Sequence, residues 1–441
     1  MKNNYKAFYE KPISSKNGYS LRADPVNENL VFEINKPIQF NIELTKDGKP
    51  CDEREVHAFF RYNSTDLVFR KDLTLTDGKS LLEFECDRSG FGILHVLFYK
   101  DGKEVCEQLR GLAVSPEELK RSYPCPDDFD AFWENKKKEL FEIPIVARYQ
   151  LITKNSNPEL HETTHKELLE NEGCSVESYD VNVDCLNKNI SGILTLPTNA
   201  KPKSLPALLF VHGAGVRPCA PGKFHRKSEK GLMIYEMNAH GIPNDKPLDW
   251  YQKLNAEGGE LFKHEREGRH DRDKNYFTNM ALRVKRGLDF LKSREEWDGK
   301  NLIIFGGSQG AWQSYAGAYL EPDISAIFAF IPAYSDLTGS LMGRQTNWPD
   351  WLNLDAKGRV DQDALKVLLY IDGVNFMKDY EKEFHVAFGL LDQGCKPTPN
   401  FVAINECPAK ANVYLQSDSY HRLSPECDEY MWGKVFEHIK N

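Results

Sequence analysis

No stretch of this chain is apolar for long enough to cross a bilayer as a helix, so nothing in it points to a membrane as partner. Its 10 cysteines never fall into a Cys-x-x-Cys pair, which leaves no spacing for a zinc site. An even count permits disulfides without establishing one, and most of these thiols read as small buried hydrophobes. Clustered basic residues are scarce as well. Lys and Arg number 57 against 66 Asp and Glu, a net charge of −9, and short runs such as Lys136, Lys137 and Lys138 sit beside Glu. Phosphate binding needs gathered Lys and Arg, so nucleic acid is not an expected partner. The opening segment, MKNNYKAFYEKPISSKNGYS, lacks the apolar core of a signal peptide. The protein is therefore expected in the cytoplasm, or, if a leader has been removed, in the periplasm or outside the cell. Internal repeats and low-complexity tracts are absent too.

What remains is globular: 441 residues, 40% hydrophobic and 28% charged, enough for a catalytic domain and an accessory one. Residues 1–116 read as a small all-β domain. Segments 30–34, 38–44, 56–62, 67–69, 81–86, 93–99 and 105–114 are rich in Val, Ile, Phe and Tyr. Several alternate apolar with polar residues, the period of a half-buried strand, as in Gln39-Phe40-Asn41-Ile42-Glu43-Leu44. Asp47-Gly48, Asp77-Gly78 and Asp101-Gly102 supply hairpin signals between them. About seven strands so spaced predict an immunoglobulin-like sandwich. No catalytic cluster stands out in it.

Residues 117–177 read as a linker with helix starts at Ser115-Pro116-Glu117-Glu118 and at Pro126-Asp127-Asp128-Phe129, acidic where a helix dipole favours acid. In residues 178–441 short apolar runs alternate with helical spacing, best in 276–291, where Phe277, Met280, Ala281, Val284, Leu288 and Leu291 line one face. That is how a buried, mostly parallel sheet flanked by helices reads.

The chemistry is carried by Leu302-Ile303-Ile304-Phe305-Gly306-Gly307-Ser308-Gln309-Gly310-Ala311. An apolar strand enters Gly-x-Ser-x-Gly and leaves as a helix, the nucleophile elbow of an α/β-hydrolase fold. The turn holds Ser308 at a strained backbone angle, and the glycines stand where side chains have no room. Ser308 is the expected nucleophile, and the Gln309 backbone N–H aims at an oxyanion. Leu208-Leu209-Phe210-Val211-His212-Gly213-Ala214 ends a second strand in the loop that supplies the other donor, the Ala214 N–H. His212 reads as a residue that orients this loop.

A serine needs a base, and the base an orienting carboxylate. In the hydrolase order these follow the serine. Asp392 closes the apolar run 384–391, and His421 lies in the loop after the run 411–416. Asp336 and Asp372 also follow apolar runs but fit the order less well. Asp418 is too near His421 to orient it, and His385 and His438 read as structural.

These motifs resemble the acetyl xylan esterase and cephalosporin C deacetylase family of carbohydrate esterases. The resemblance spans about residue 124 to the C-terminus and rests on Phe129-Asp130-Ala131-Phe132-Trp133, His212-Gly213, Tyr276-Phe277 with Arg283, and Gly306-Gly307-Ser308-Gln309-Gly310. It implies a Ser308–His421–Asp392 triad, oxyanion donors at Ala214 and Gln309, an acetylated carbohydrate or other small ester as substrate, and no metal or cofactor. Family members usually carry Arg-Gly-Gln where this chain has Asn238-Ala239-His240, His-Glu where it has His421-Arg422, and an aromatic residue at Ala214. These departures and the added sandwich mark a divergent branch, and they leave the family's oligomer open. In the segment 336–349, Trp348 offers a ring to a sugar face, and Arg344 and Asn347 offer hydrogen bonds to hydroxyls. Packing of a cap is an equal reading of those three. Two other functions fit parts of the pattern: a serine peptidase of the prolyl-oligopeptidase kind, and a carbohydrate-binding protein on an inactive hydrolase fold.

Overall fold

The computed structural model describes residues 2–8, 14–63, 66–153, 156, 175–344, 347–352 and 357–440. The Asp-Gly pairs at 47–48, 77–78 and 101–102 each hold both residues at positive φ, between 48 and 78°, which tightens the turn between antiparallel strands. The strands they help to join are β2 (Ser14–Lys16), β3 (Tyr19–Pro25), β4 (Val31–Phe32), β5 (Ile38–Lys46), β6 (Lys49–Pro50), β7 (Val56–Tyr62), β8 (Asp66–Leu73), β9 (Lys79–Phe84), β10 (Gly90–Lys100) and β11 (Lys103–Val114). One sheet runs β4-β11-β10-β7-β8; the other runs β2-β3-β5, with β6 and β9 both paired to β5. Alternation along β5 sends Ile38, Phe40, Ile42 and Leu44 inward, where they meet Ala58, Phe60, Leu94, Val96 and Phe98 from the facing sheet. Each buried phenylalanine there is worth about 1.5–3 kcal/mol of transfer free energy.

The second unit is built on a ten-stranded sheet. Its strands are β1 (Asn4–Phe8), β12 (Ala147–Leu151), β13 (Val176–Val183), β14 (Ile190–Pro197), β15 (Leu205–Val211), β16 (Met233–Met237), β17 (Trp297–Gly307), β18 (Ala326–Phe330), β19 (Glu383–Gly389) and β20 (Ala411–Gln416). They lie in the order β1-β20-β19-β18-β17-β15-β16-β14-β13-β12. Pairing is parallel from β1 to β16 and antiparallel from there to β12. The central strands are buried on both faces, as their unbroken apolar runs require. On one face lie helices α1 (Phe129–Phe141), α2 (Tyr276–Lys292), α3 (Gln309–Leu320) and α4 (Pro397–Glu406); α5 (Pro425–His438) covers the other. Asn275 caps α2 by accepting from the backbone N–H groups of Phe277 and Thr278 at 2.9 and 3.4 Å. No helix among the described residues is long and apolar enough to cross a membrane.

Two boundaries differ from the sequence reading. Residues 4–8, expected in the sandwich, form the outer strand of the large sheet beside β20. Residues 147–151, expected in a linker, form its opposite edge. Part of that linker, 157–174, lies outside the described residues.

The sandwich packs directly on loops at the carboxyl end of the large sheet. The Gly111 N–H donates to Ser417 O at 2.7 Å, and Ser417 Oγ donates back to Gly111 O at 3.0 Å. Phe91 lies between Phe388 and Phe401, with ring centroids 6.1 and 5.4 Å away, and its N–H donates to Thr398 Oγ1 at 3.2 Å.

Candidate active site

β17 ends at Gly307, and Ser308 follows with φ 58° and ψ −122°, a region that L-residues avoid. The neighbouring glycines explain how the chain reaches it. A Cβ on Gly306 would stand 2.3 Å from Gly310 O, and one on Gly310 would stand 2.1 Å from Val211 O. The strand-to-helix crossing is that tight, so only hydrogen fits at both positions. The turn is tied down by Ser308 N–H donating to Phe330 O at 2.9 Å.

Loops after β19 and β20 bring two more groups to this point. His421 Nε2 lies 3.0 Å from Ser308 Oγ, and His421 Nδ1 lies 2.6 Å from Asp392 Oδ2. A carboxylate only accepts, so Nδ1 carries the proton and Nε2 is free to accept from the serine hydroxyl. Asp392 is 2% exposed, and its other oxygen accepts from the N–H groups of Gly394 and Cys395, both at 2.9 Å. His421 stays half exposed at the mouth. The three expected residues therefore form one hydrogen-bonded line.

The loop after β15 faces them. A Cβ on Gly213 would lie 3.4 Å from Ser308 Cβ. Among the described residues, no protein acceptor is recorded for the backbone N–H of Ala214 or of Gln309. Gln309 is the first residue of α3, where N–H groups have no acceptor within the helix and the dipole favours negative charge. His212 is turned away from Ser308. Its Nδ1 donates to Gly213 O at 2.6 Å and its Nε2 accepts from Ala239 N–H at 3.1 Å. Burial, with Arg217 beside it, pushes its pKa down to about 3, so it is a neutral brace for the loop.

The family-model comparison matches residues 115–434 to the acetyl xylan esterase (AXE1) description. The chain belongs to the acetyl xylan esterase family. As a member it is a carboxylic ester hydrolase of the serine-esterase type. The match begins where the sandwich ends. The acetyl esterase Axe7A of Xylanibacter ruminicola is 26% identical over 370 residues, covering 82% of this chain and 78% of that protein. In fold, the chain is similar to the acetyl xylan esterase from Paenibacillus sp. R4, with TM-score 0.60, 23% identity, and coverage of 73% of this chain and 98% of that one. Acetyl xylan esterase 1 from Thermoanaerobacterium sp. JW/SL YS485 gives TM-score 0.60 at 20% identity, covering 73% of this chain and 97% of that one.

Of the three residues expected to touch a sugar, only Trp348 lines the catalytic cleft of this family member. Arg344 is spent elsewhere: its guanidinium pairs with Asp336 and donates to Lys120 O. Asn347 is 2% exposed, and its Oδ1 accepts from the N–H of Trp348 and of Lys396, both at 3.1 Å. It fastens the Trp348 segment to the Asp392 loop rather than meeting solvent. Gln345 and Thr346 of that segment lie outside the described residues. The rival carboxylates have structural tasks. Asp372 accepts from the N–H groups of Asp336, Leu337 and Val374, and burial beside Asp336 pushes it up to about 7. His385 sits between Glu383 and the Tyr414 hydroxyl, and His438 between Glu383 and Ser325.

The structure adds residues that sequence reasoning left out. His240 Nε2 donates to Ala214 O at 3.3 Å, and its Nδ1 accepts from the Tyr276 hydroxyl at 2.6 Å. A buried histidine thus holds the loop that carries the Ala214 N–H. Burial, then the neighbouring His212 and His264, keeps its pKa well below the usual range. Cys395 is buried with its Sγ 3.9 Å from Ser308 Oγ, and burial with Asp392 pushes its thiol up to about 12. The nine cysteines among the described residues are free thiols.

Proposed function

We propose that this chain removes acetyl groups from carbohydrate hydroxyls through a covalent acetyl-serine at Ser308. The observation that carries the reading is the line from Asp392 through His421 to Ser308, at 2.6 and 3.0 Å, opening onto a cleft. Ser308 Oγ attacks the ester carbonyl carbon as its proton passes to His421 Nε2. The tetrahedral oxyanion accepts from the N–H groups of Ala214 and Gln309, which lie on either side of Ser308 in loop and helix start and have no protein acceptor among the described residues. Collapse breaks the carbon–oxygen bond to the sugar, and His421 returns the proton to the leaving hydroxyl. Water then attacks the acetyl-serine as its proton passes to His421, and the second collapse breaks the bond to Ser308 Oγ, which takes that proton back from His421 as acetic acid leaves and ionises. Asp392 remains a carboxylate throughout and stabilises the imidazolium.

Membership of the family supports the acetyl group and the carbohydrate, as do the names of the relatives. The Cys395 thiol, 3.9 Å from Ser308 Oγ, takes up space beside the nucleophile, which suits a small acyl group. Release of p-nitrophenol from acetate, butyrate and octanoate esters tests the reading against Ser308→Ala. Fast turnover of acetate is expected, falling about 10³-fold or more in the variant. Turnover independent of Ser308 overturns it.

A further inference from the structure

We infer that the cleft contains a subsite for a carboxylate, so that the preferred substrate is an acetylated carbohydrate carrying an acidic sugar. This rests on the esterase reading of Ser308 and adds the charge of the substrate to it. The cleft encloses about 1190 Å³. Small-molecule sites commonly measure roughly 300–1,000 Å³, so this one has room for more than a single acetylated ring. Its wall beyond the triad carries Arg217, Lys223 and Lys227, in a chain whose net charge is −9.

The three cations are not equivalent. Lys223 is committed to Glu236, 2.5 Å away, a buried carboxylate that also accepts from the Ala220 N–H. Among the described residues, no carboxylate lies within ion-pair distance of Arg217 or Lys227. Lys227 is half buried, with its ammonium 4.8 Å from the centre of the Trp432 ring. Burial pulls its pKa below the usual lysine range, with Asp428 and Glu429 acting against that and Lys230 with it. Asp428 also lines the cleft, and burial raises its own pKa. Asp428 and Glu429 therefore offset part of the Lys227 charge from a distance, and with no carboxylate in direct contact the ammonium still gains from an incoming anion. Arg217 follows the oxyanion loop by three residues, and its charge is felt at His212. A guanidinium there presents a planar fork to a carboxylate.

Behind these cations the wall is apolar: Phe210, Phe305 and Trp432 are buried, with the Lys223 and Lys227 ammoniums 4.2 and 4.8 Å from the ring centres of Phe210 and Trp432. Such a backing holds little water to screen a carboxylate from its cations. A neutral sugar leaves Arg217 and Lys227 without an anion, and a uronate supplies one.

The test compares two esters with acetyl at the same hydroxyl, a methyl glucuronide and the corresponding methyl glucoside, which differ only in the carboxylate. For the native chain kcat/KM for the uronate is expected to be about tenfold higher at low salt, an advantage that shrinks as salt screens it. In Arg217→Gln/Lys227→Gln the ratio of the two substrates is expected to fall to about one. Equal rates in the native chain, or an advantage that survives the double variant, overturns the subsite. Calorimetric titration of Ser308→Ala with methyl glucuronide and methyl glucoside reads the subsite without catalysis. Tighter binding of the uronate supports it and equal binding overturns it. Loss of p-nitrophenyl acetate turnover by the native chain would remove the esterase reading alone.

Discussion

Gly111 of the sandwich and Leu390, two residues before Asp392, meet so closely that a Cβ on Gly111 would stand 2.1 Å from Leu390 Cβ. Gly111 also exchanges two hydrogen bonds with Ser417, four residues before His421. The sandwich therefore touches both loops that supply the serine's base and its carboxylate. Gly111→Ala must displace one of them, and a shift of an ångström in a catalytic group is expected to lower kcat about 10²-fold. Steady-state kinetics with p-nitrophenyl acetate checks this, and Gly111→Ala/Leu390→Gly, which returns the space, is expected to recover most of the loss. An unchanged kcat in Gly111→Ala would show that the contact is only packing.

Asp392→Asn leaves the shape of the loop and removes the charge. The amide can donate where the carboxylate accepted, so His421 is driven toward the tautomer that cannot take the Ser308 proton. A fall in kcat of about 10³-fold or more is expected with little change in KM. A loss confined to KM would mean that Asp392 serves binding instead.

Buried neutral histidines give stability a pH dependence. His212 is depressed from 6.5 to about 3 by burial, and His240 and His264 are depressed in the same direction. The unfolded chain takes up these protons near pH 6.5, while the folded one resists them. Stability is therefore full above that value and falls as pH drops from it toward 3, by about 1.4 kcal/mol per unit for each histidine that stays neutral. Urea midpoints at pH 7.5 and 5.5 measure it; equal midpoints at an unchanged m-value would contradict the assignment.

The Cys395 thiol, held up to about 12, is almost wholly protonated at neutral pH, and the thiol form is a poor nucleophile. Iodoacetamide at pH 7.5 is expected to leave esterase activity intact over an hour. Rapid inactivation that Cys395→Ser abolishes would show a thiolate at the site.

The elbow was legible because its geometry is written in residue types: Gly306 and Gly310 stand where any Cβ would meet backbone. The hairpins at 47–48, 77–78 and 101–102 were legible for the same local reason. Strand β3 was not, since its inward positions Leu21, Ala23 and Pro25 alternate with Arg22 and Asp24 and carry little apolar signal. Strand β12 has four of its five residues exposed at a sheet edge, so no periodicity marks it. Arg344 looked available for a substrate because a sequence does not show that Asp336 has already claimed it. The role of His240 was not legible because its partners, Ala214 and Tyr276, are 26 and 36 residues away along the chain.

Strand β1 gives the sandwich an unusual attachment. The five residues Asn4–Phe8 run in register along Asn412–Gln416, and Phe8 O accepts from the Ser417 N–H at 3.0 Å. The chain thus leaves the hydrolase sheet, builds the sandwich and comes back, making the sandwich an excursion clipped at both ends rather than a pendant. A deletion that starts at the first residue would unzip the flank of β20 as well. Any defect it caused would report on the footing of the His421 loop as much as on the missing sandwich.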